Sequence, residues 1–357
     1  MAVGTFIHPE LADVCNFKCS FCPPDKRSYQ MFDLDKFREV LDVASVTPIF
    51  GIWYNRIQLN GNGEPLLYPH LAQAIRIAKE CFPWCEFTTN GYLLDAAKAR
   101  EVIEAGIDEI NISLTGVVPE VYSHFQGSGI PFEQCVKQLR TVVKNVKLLA
   151  KIRDELGDKT HIQLRYIRSE DSKEHLKDYL AFWKGTGVDE VFVTSLWSFK
   201  RSKKGKSKFK VLACSSAPRR YQISANGEVF PCTCNYDDKR NMVGNINEVP
   251  FNEILHSKKF LSEKRKRMSC DLDTVPKSCL SCENRTLRGL GEELRHMRSV
   301  YYLNKPGKTF IYRLFGPAVV IFERITRCKV CYWIYIAYLR RSSRKIHDEF
   351  INTRRSK

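Results

Sequence analysis

Long apolar runs are missing from this 357-residue sequence. Nowhere do eighteen apolar residues follow one another, so no membrane-spanning helix is expected. The first residues, Met1-Ala2-Val3-Gly4, lack the basic and apolar regions of a secretory signal. A chain kept in the cytoplasm is not expected to rest on disulfides, so its cysteines are read as metal ligands or buried thiols. Internal repeats are absent. Acidic residues are scarce at one end: from Thr286 to Lys357 there are 16 Lys and Arg against 5 Asp and Glu. Most of the net charge of +17 therefore belongs to a tail. A basic surface invites a nucleic-acid reading, but here the inference concerns only that tail, and no DNA partner is expected.

What is plentiful is cysteine, fourteen in all, alongside an ordinary hydrophobic share of 43%. Residues 5 to 196 alternate strand-like and helix-like segments. Strands are predicted at Thr5–Ala12, Arg56–Asn60, Glu86–Thr89, Glu109–Leu114, His161–Tyr166 and Glu190–Thr194. Helices are predicted at Leu34–Val43, Leu71–Glu80, Asp95–Ala105, Phe132–Ile152 and Lys173–Trp183. Six strand-then-helix units imply a parallel sheet with crossover helices, either curled into a partial barrel or left open. Residues 1–198 form this unit. A basic Ser- and Gly-rich linker (199–213), a cysteine-rich unit (214–285) and the basic tail (286–357) follow.

Cys15-Asn16-Phe17-Lys18-Cys19-Ser20-Phe21-Cys22 places three thiols within eight residues, directly after the first strand. Thiolates are the soft ligands preferred by iron–sulfur clusters and zinc. Structural zinc closes with a fourth ligand at short range, and the only nearby histidine, His8, precedes the loop. Three ligands instead suit one face of a four-iron cube whose fourth iron stays open.

This loop resembles that of the radical S-adenosylmethionine superfamily. Asn60-Gly61-Asn62-Gly63-Glu64-Pro65 resembles the family's Gly-Gly-Glu segment, and Thr88-Thr89-Asn90-Gly91 its T-N-G turn. Asn111-Ile112-Ser113-Leu114-Thr115-Gly116 is similar to its S-L-D-G segment, with Thr115 in place of Asp, and Gln126-Gly127 stands where relatives carry Arg-Gly. All four motifs fall at predicted strand ends, where β/α sheets bind ligands. The resemblance implies a partial (β/α)6 barrel and a [4Fe–4S] cluster on Cys15, Cys19 and Cys22. It also implies S-adenosylmethionine contacts from Gly61, Asn62, Gly63, Glu64, Asn90 and Ser113. The chemistry implied is a 5′-deoxyadenosyl radical that takes hydrogen from carbon.

Cys214, Cys232, Cys279 and Cys282 resemble the ligands of a SPASM or shortened "twitch" extension, a small β-hairpin plus helix unit holding a second [4Fe–4S] cluster. A zinc ribbon is the alternative. Cys234 and Cys270 are candidate hydrogen-atom donors or simply buried thiols, and Cys81, Cys85 and Cys135 are read as packing residues. The resemblance implies a dehydrogenase or epimerase acting on a sugar, aminocyclitol or glycan, supplied with electrons by flavodoxin or ferredoxin. A peptide or protein maturase is the alternative, disfavoured because no leader-binding domain precedes Cys15. An RNA-modifying enzyme is a third reading, resting on charge alone. The apolar runs Leu314–Phe322 and Cys331–Leu339, flanked by basic residues, suggest either packing on the barrel or contact with the inner membrane face.

Overall fold

The computed structural model describes residues 4–22, 29–195, 214, 216–233, 239–269, 273–279, 300–303 and 332–355. Six strands run in parallel and in chain order: β1 Phe6–Pro9, β2 Arg56–Gln58, β3 Trp84–Thr89, β4 Glu109–Ser113, β5 His161–Arg168 and β6 Glu190–Ser195. Between them lie α1 (Leu34–Val46), α2 (Leu71–Cys81), α3 (Ala96–Glu104), α4 (Pro119–Phe125), α5 (Phe132–Glu155) and α6 (Leu176–Trp183). The expected units are all present. The last predicted helix is shortened, because Lys173–His175 form a separate 3₁₀ turn. The sheet is a partial barrel, open at its edges.

Alternation along the strands sets its two faces. Ile7, Ile57, Cys85, Phe87, Ile110, Ile112, Ile162, Leu164 and Val191 are buried and belong to one hydrophobic core with the apolar sides of the helices. Residues between them, polar in most positions, point to the inner face. Helix starts are set locally: Asp33 and Asp95 accept from Lys36 and Lys98 N–H, each at 2.9 Å, relieving donors left over at helix N-termini.

The sheet does not end where the cysteine-rich unit begins. β7 (Arg220–Ile223) pairs in parallel with β1, His8 opposite Gln222, and leads antiparallel into β8 (Glu228–Phe230) and β9 (Gly244–Asn245). The β7–β8 turn closes through Gly227 N–H to Ser224 O at 2.9 Å. Gly227 sits at φ +84°, the left-handed position such a turn reserves for glycine. Helices α7 (Phe251–His256) and α8 (Lys258–Met268) cover this hairpin. At the other edge β10 (Val300–Tyr302), which hydropathy did not reveal, pairs antiparallel with β6.

Helix α9 (Tyr332–Arg355) includes most of the second apolar run of the tail. Ile336 and Leu339 are buried, and Ser343 Oγ accepts from Trp53 N–H at 3.1 Å. His347 stacks on Trp53 with ring centres 3.9 Å apart, and Arg340 Nε donates to Phe50 O at 2.6 Å. The described part of this run thus packs on the barrel, while Leu314–Phe322 lies outside the described residues. Among the described residues no helix is long and apolar enough to cross a membrane.

Candidate active site

Strand β1 delivers the chain to the loop of Cys15, Cys19 and Cys22, which are half-buried and not in disulfides. Two neighbours pin that loop. Ser20 donates its N–H to Phe125 O at 2.9 Å and its hydroxyl to His124 O at 2.8 Å, fixing it to the end of α4. On the other side Glu64 N–H bonds Val14 O at 2.8 Å. Phe17 N–H points at Cys15 Sγ at 3.4 Å, a donor suited to a thiolate.

The glycine-rich segment lies against the same loop. A Cβ at Gly63 would sit 1.8 Å from Ala12 O, and one at Gly61 2.2 Å from Glu10 Oε1. Close approach here is to the chain's own β1–Cys15 connection. Glu64, 2% exposed, accepts from Thr89 Oγ1 at 2.7 Å, from Asn90 N–H at 2.8 Å and from Leu66 N–H at 3.1 Å. Its carboxyl therefore joins the second and third motifs, and burial pushes its pKa up to about 7. Asn90 Nδ2 in turn donates to Asn16 Oδ1 at 2.8 Å, inside the cysteine loop. At the fourth motif Gln126 clasps the end of β4: its Nε2 donates to Ser113 O at 2.8 Å and its Oε1 accepts from Thr115 N–H at 3.3 Å. This neutral side chain therefore has a structural task at the fourth motif.

Glu10 carries no signal in the sequence, because it falls within the predicted strand Thr5–Ala12. It is 2% exposed, accepts from Asn62 N–H at 2.5 Å, and faces the N–H groups of Gly63 and Ala225. Burial, followed by the Asp13 carboxylate, raises its pKa to about 7 against the pull of those donors. Ala225 belongs to the β7–β8 turn, so one carboxyl ties the cysteine loop, the glycine segment and the hairpin together.

In the cysteine-rich unit Cys214, Cys232 and Cys279 are buried. Lys264 of α8, also buried, donates to Ala217 O at 2.7 Å and Arg220 O at 2.6 Å. Burial lowers its pKa to about 7, while the nearby Cys232 and Cys214 thiols push it the other way. Cys234, Cys270 and Cys282 lie outside the described residues. Cys85 and Cys135 pack in the core, and Cys135 lies where a Cβ on Gly127 would be 2.4 Å from its sulfur. Surface hollows of about 510 and 550 Å³ flank α5 on the helical side and contain none of these groups.

Two family models match this chain. The radical SAM superfamily covers residues 10–152, and SPASM, an iron–sulfur cluster-binding domain, covers 214–283. The chain carries a radical SAM domain followed by a SPASM domain. Its cofactors are S-adenosylmethionine and [4Fe–4S] clusters, with an iron–sulfur centre in the SPASM part as well. A probable GTP 3′,8-cyclase of Saccharolobus islandicus is 28% identical over 187 residues, 52% of this chain and 55% of that protein. The chain spans about half the length of the curated relatives it matches. Among solved structures, anSMEcpe with bound AdoMet and Cp18Cys peptide is similar in fold, with a TM-score of 0.58 and 13% identity over 88% of this chain and 97% of that one. Streptococcus suis SuiB bound to S-adenosylmethionine has a TM-score of 0.57 at 13% identity, over 74% and 68%.

The radical SAM domain fits such a cofactor set: three soft donors share one pinned loop at the C-terminal end of the sheet, with a backbone N–H on one sulfur. Among the described residues no three His, Cys, Asp or Glu side chains are gathered tightly enough for a single metal ion. A four-iron cube holds its ligands farther apart than one zinc ion does.

Proposed function

We propose that the protein is a radical SAM oxidoreductase or epimerase acting on a carbon of a small hydroxylated substrate of the sugar, aminocyclitol or glycan type. In this reading Cys15, Cys19 and Cys22 hold the cofactor-binding cluster, and Cys214, Cys232, Cys279 and Cys282 the auxiliary one. When bound, the reduced cluster and S-adenosylmethionine supply a 5′-deoxyadenosyl radical able to break an unactivated C–H bond. Gly61, Asn62, Gly63 and Asn90 line the cofactor side of the loop, with Ser113 at the end of β4, and Glu64 holds the second and third motifs in register.

The observation that carries the proposal is the joint between β1 and β7. The strand leading to Cys15 is hydrogen-bonded to the strand whose hairpin leads to Cys232, and Glu10 binds both sides of that joint. A rigid link of this kind supports electron exchange between the two cysteine groups, as dehydrogenation and epimerisation both require. The polar inner face of the barrel supports a hydroxylated substrate rather than an apolar one. Flavodoxin or ferredoxin would supply the first electron, and Cys234 or Cys270 a hydrogen atom if the reaction is an epimerisation. Contact with a membrane would fall to residues outside the described part of the tail, since α9 uses its apolar face on the barrel.

The test is anaerobic turnover of the double variant Cys232→Ala/Cys279→Ala against the unaltered protein, with candidate sugars and peptides. The variant should still form 5′-deoxyadenosine but yield little product of altered mass. Full product formation by that variant would remove the auxiliary cluster from the reaction. Mass change on a peptide alone would replace the glycan reading with the maturase one.

A further inference from the structure

The inner face of the barrel is layered. Towards the N-terminal ends of the strands lie the carboxyl groups of Glu86, Glu109 and Glu190. Glu86 accepts from Trp84 Nε1 at 3.0 Å and faces Arg56 at 3.7 Å. Glu190 accepts from Gln163 Nε2 at 2.9 Å and meets His161 at 3.3 Å. Glu109 has its pKa raised to about 7 by burial and then by Glu86, so much of it is neutral near neutral pH. These acids are thus largely answered within their own layer.

One step closer to the cysteine loop stands Arg165 of β5. Its Nε donates to Asn111 Oδ1 at 3.1 Å and is 3.3 Å from Gln163 Oε1, both neutral amide oxygens. Those bonds set the plane of the guanidinium. Its two terminal nitrogens have no hydrogen-bond or ion-pair partner among the described residues. Glu109 is near enough to act on Arg165 electrostatically without pairing with it. On β1, His8 is 4% exposed and its Nε2 has no partner among the described residues. Burial holds its pKa well below the usual value, and the charges of Arg220, Arg165 and Lys264 act in the same direction. His8 is therefore neutral inside a cluster of cations, with a ring nitrogen able to donate in the Nε2–H tautomer. Buried polar groups left without partners are costly, and a guanidinium held by Nε alone is poised for two-pronged binding of a carboxylate or phosphate.

We infer that Arg165 and His8 form an anion-recognition site on the inner face, so that the substrate carries a carboxylate or phosphate group. Arg165 grips it through both terminal nitrogens and His8 donates from Nε2. The inference rests on the proposed reaction chamber lying on this face. It deepens that reading by making the hydroxylated substrate an acidic one, such as a sugar acid or sugar phosphate.

Anion binding needs no radical, so it is tested apart from turnover. Protein reconstituted anaerobically with its clusters and S-adenosylmethionine, without reductant, is titrated calorimetrically with inorganic phosphate and separately with acetate. One saturable site is expected for at least one anion, and the stronger binder identifies the group. Arg165→Gln should weaken it at least tenfold, Arg165→Lys less, and His8→Gln several-fold, with the cluster absorbance retained as a check on folding. Should Arg165→Gln lose its cluster, the His8→Gln titration alone decides. Absence of saturable binding by either anion overturns the inference, as does equal binding by the variants. A loss of S-adenosylmethionine affinity in Arg165→Gln, measured without added anion, also overturns it, since Arg165 would then serve the cofactor.

Discussion

At the scale of single residues, the glycine segment is constrained by the loop beside it. A Cβ on Gly63 would overlap Ala12 O at 1.8 Å, and a backbone oxygen on a pinned loop has nowhere to go. Gly63→Ala should therefore cost about 1–3 kcal/mol or more of stability, the range for overpacking. It should also lower iron content after reconstitution, because the displaced backbone leads straight to Cys15. Iron analysis with denaturant unfolding checks this, and an unchanged iron count would mean the loop yields easily. Glu64 offers a pH signature. Its pKa is near 7 when folded against 4.5 for the free side chain, so the folded state binds the extra proton. The stability this confers is complete below about pH 4.5 and is lost as the pH climbs to about 7. Glu64→Gln lacks this term, so the gap between wild type and variant should shrink over that window. Unfolding of the cluster-free protein at several pH values would reveal it, and a constant gap would argue against the raised pKa.

At the scale of elements, α9 decides between two uses of one apolar sequence. Leu339 is 1% exposed and packs with Ile336 on the barrel flank, near the Trp53–His347 stack. Leu339→Ala should cost about 2–5 kcal/mol, as for other buried leucines. A leucine reserved for lipid would lose almost nothing in aqueous buffer, so thermal or denaturant unfolding separates the two. Arg354 reaches the Glu80 carbonyl at the end of α2, which extends the same contact along the helix. The cation-rich face of α9 remains turned to water, where Arg344 and Lys345 pair only loosely with Asp348 and Glu349 at 3.7 and 3.8 Å.

At the scale of the whole molecule, one sheet runs through both cysteine-bearing units. Cutting the chain after Ser195 would remove β7 from the edge of β1 and the Ala225 N–H from Glu10. An exposed parallel edge is a site for aggregation, and parallel sheets rarely leave a face or edge uncovered. A fragment of residues 1–195 should therefore elute as aggregate in size-exclusion chromatography and bind hydrophobic dye. A monodisperse, dye-silent fragment would show that the barrel stands alone. In the intact chain, amides of Tyr221–Ile223 should exchange about as slowly as that of Ile7, because pairing makes the two strands open together.

Local chemistry made much of this legible. Period-two and period-3.6 patterns located the six β/α units, since each strand and helix must bury one face whatever surrounds it. Ligand type and spacing within eight residues located the cysteine loop. Long-range pairing was hidden. Nothing in Arg220–Ile223 shows that it will lie parallel to Phe6–Pro9, more than two hundred residues earlier, because register depends on which edge is left open after six strands have assembled. Glu10 is an ordinary strand residue until that pairing brings Ala225 beside it. Arg165 likewise reads as one more basic residue, and only the fold brings its charge to bear on His8 while leaving its two terminal nitrogens unanswered among the described residues. The sequence by itself determined which segments become strands and helices and which thiols share a loop, because those outcomes depend on neighbours along the chain. Tertiary structure alone decided which carboxyls are buried, which cations face each other and which apolar run covers the barrel, because burial and charge are properties of what comes together in space.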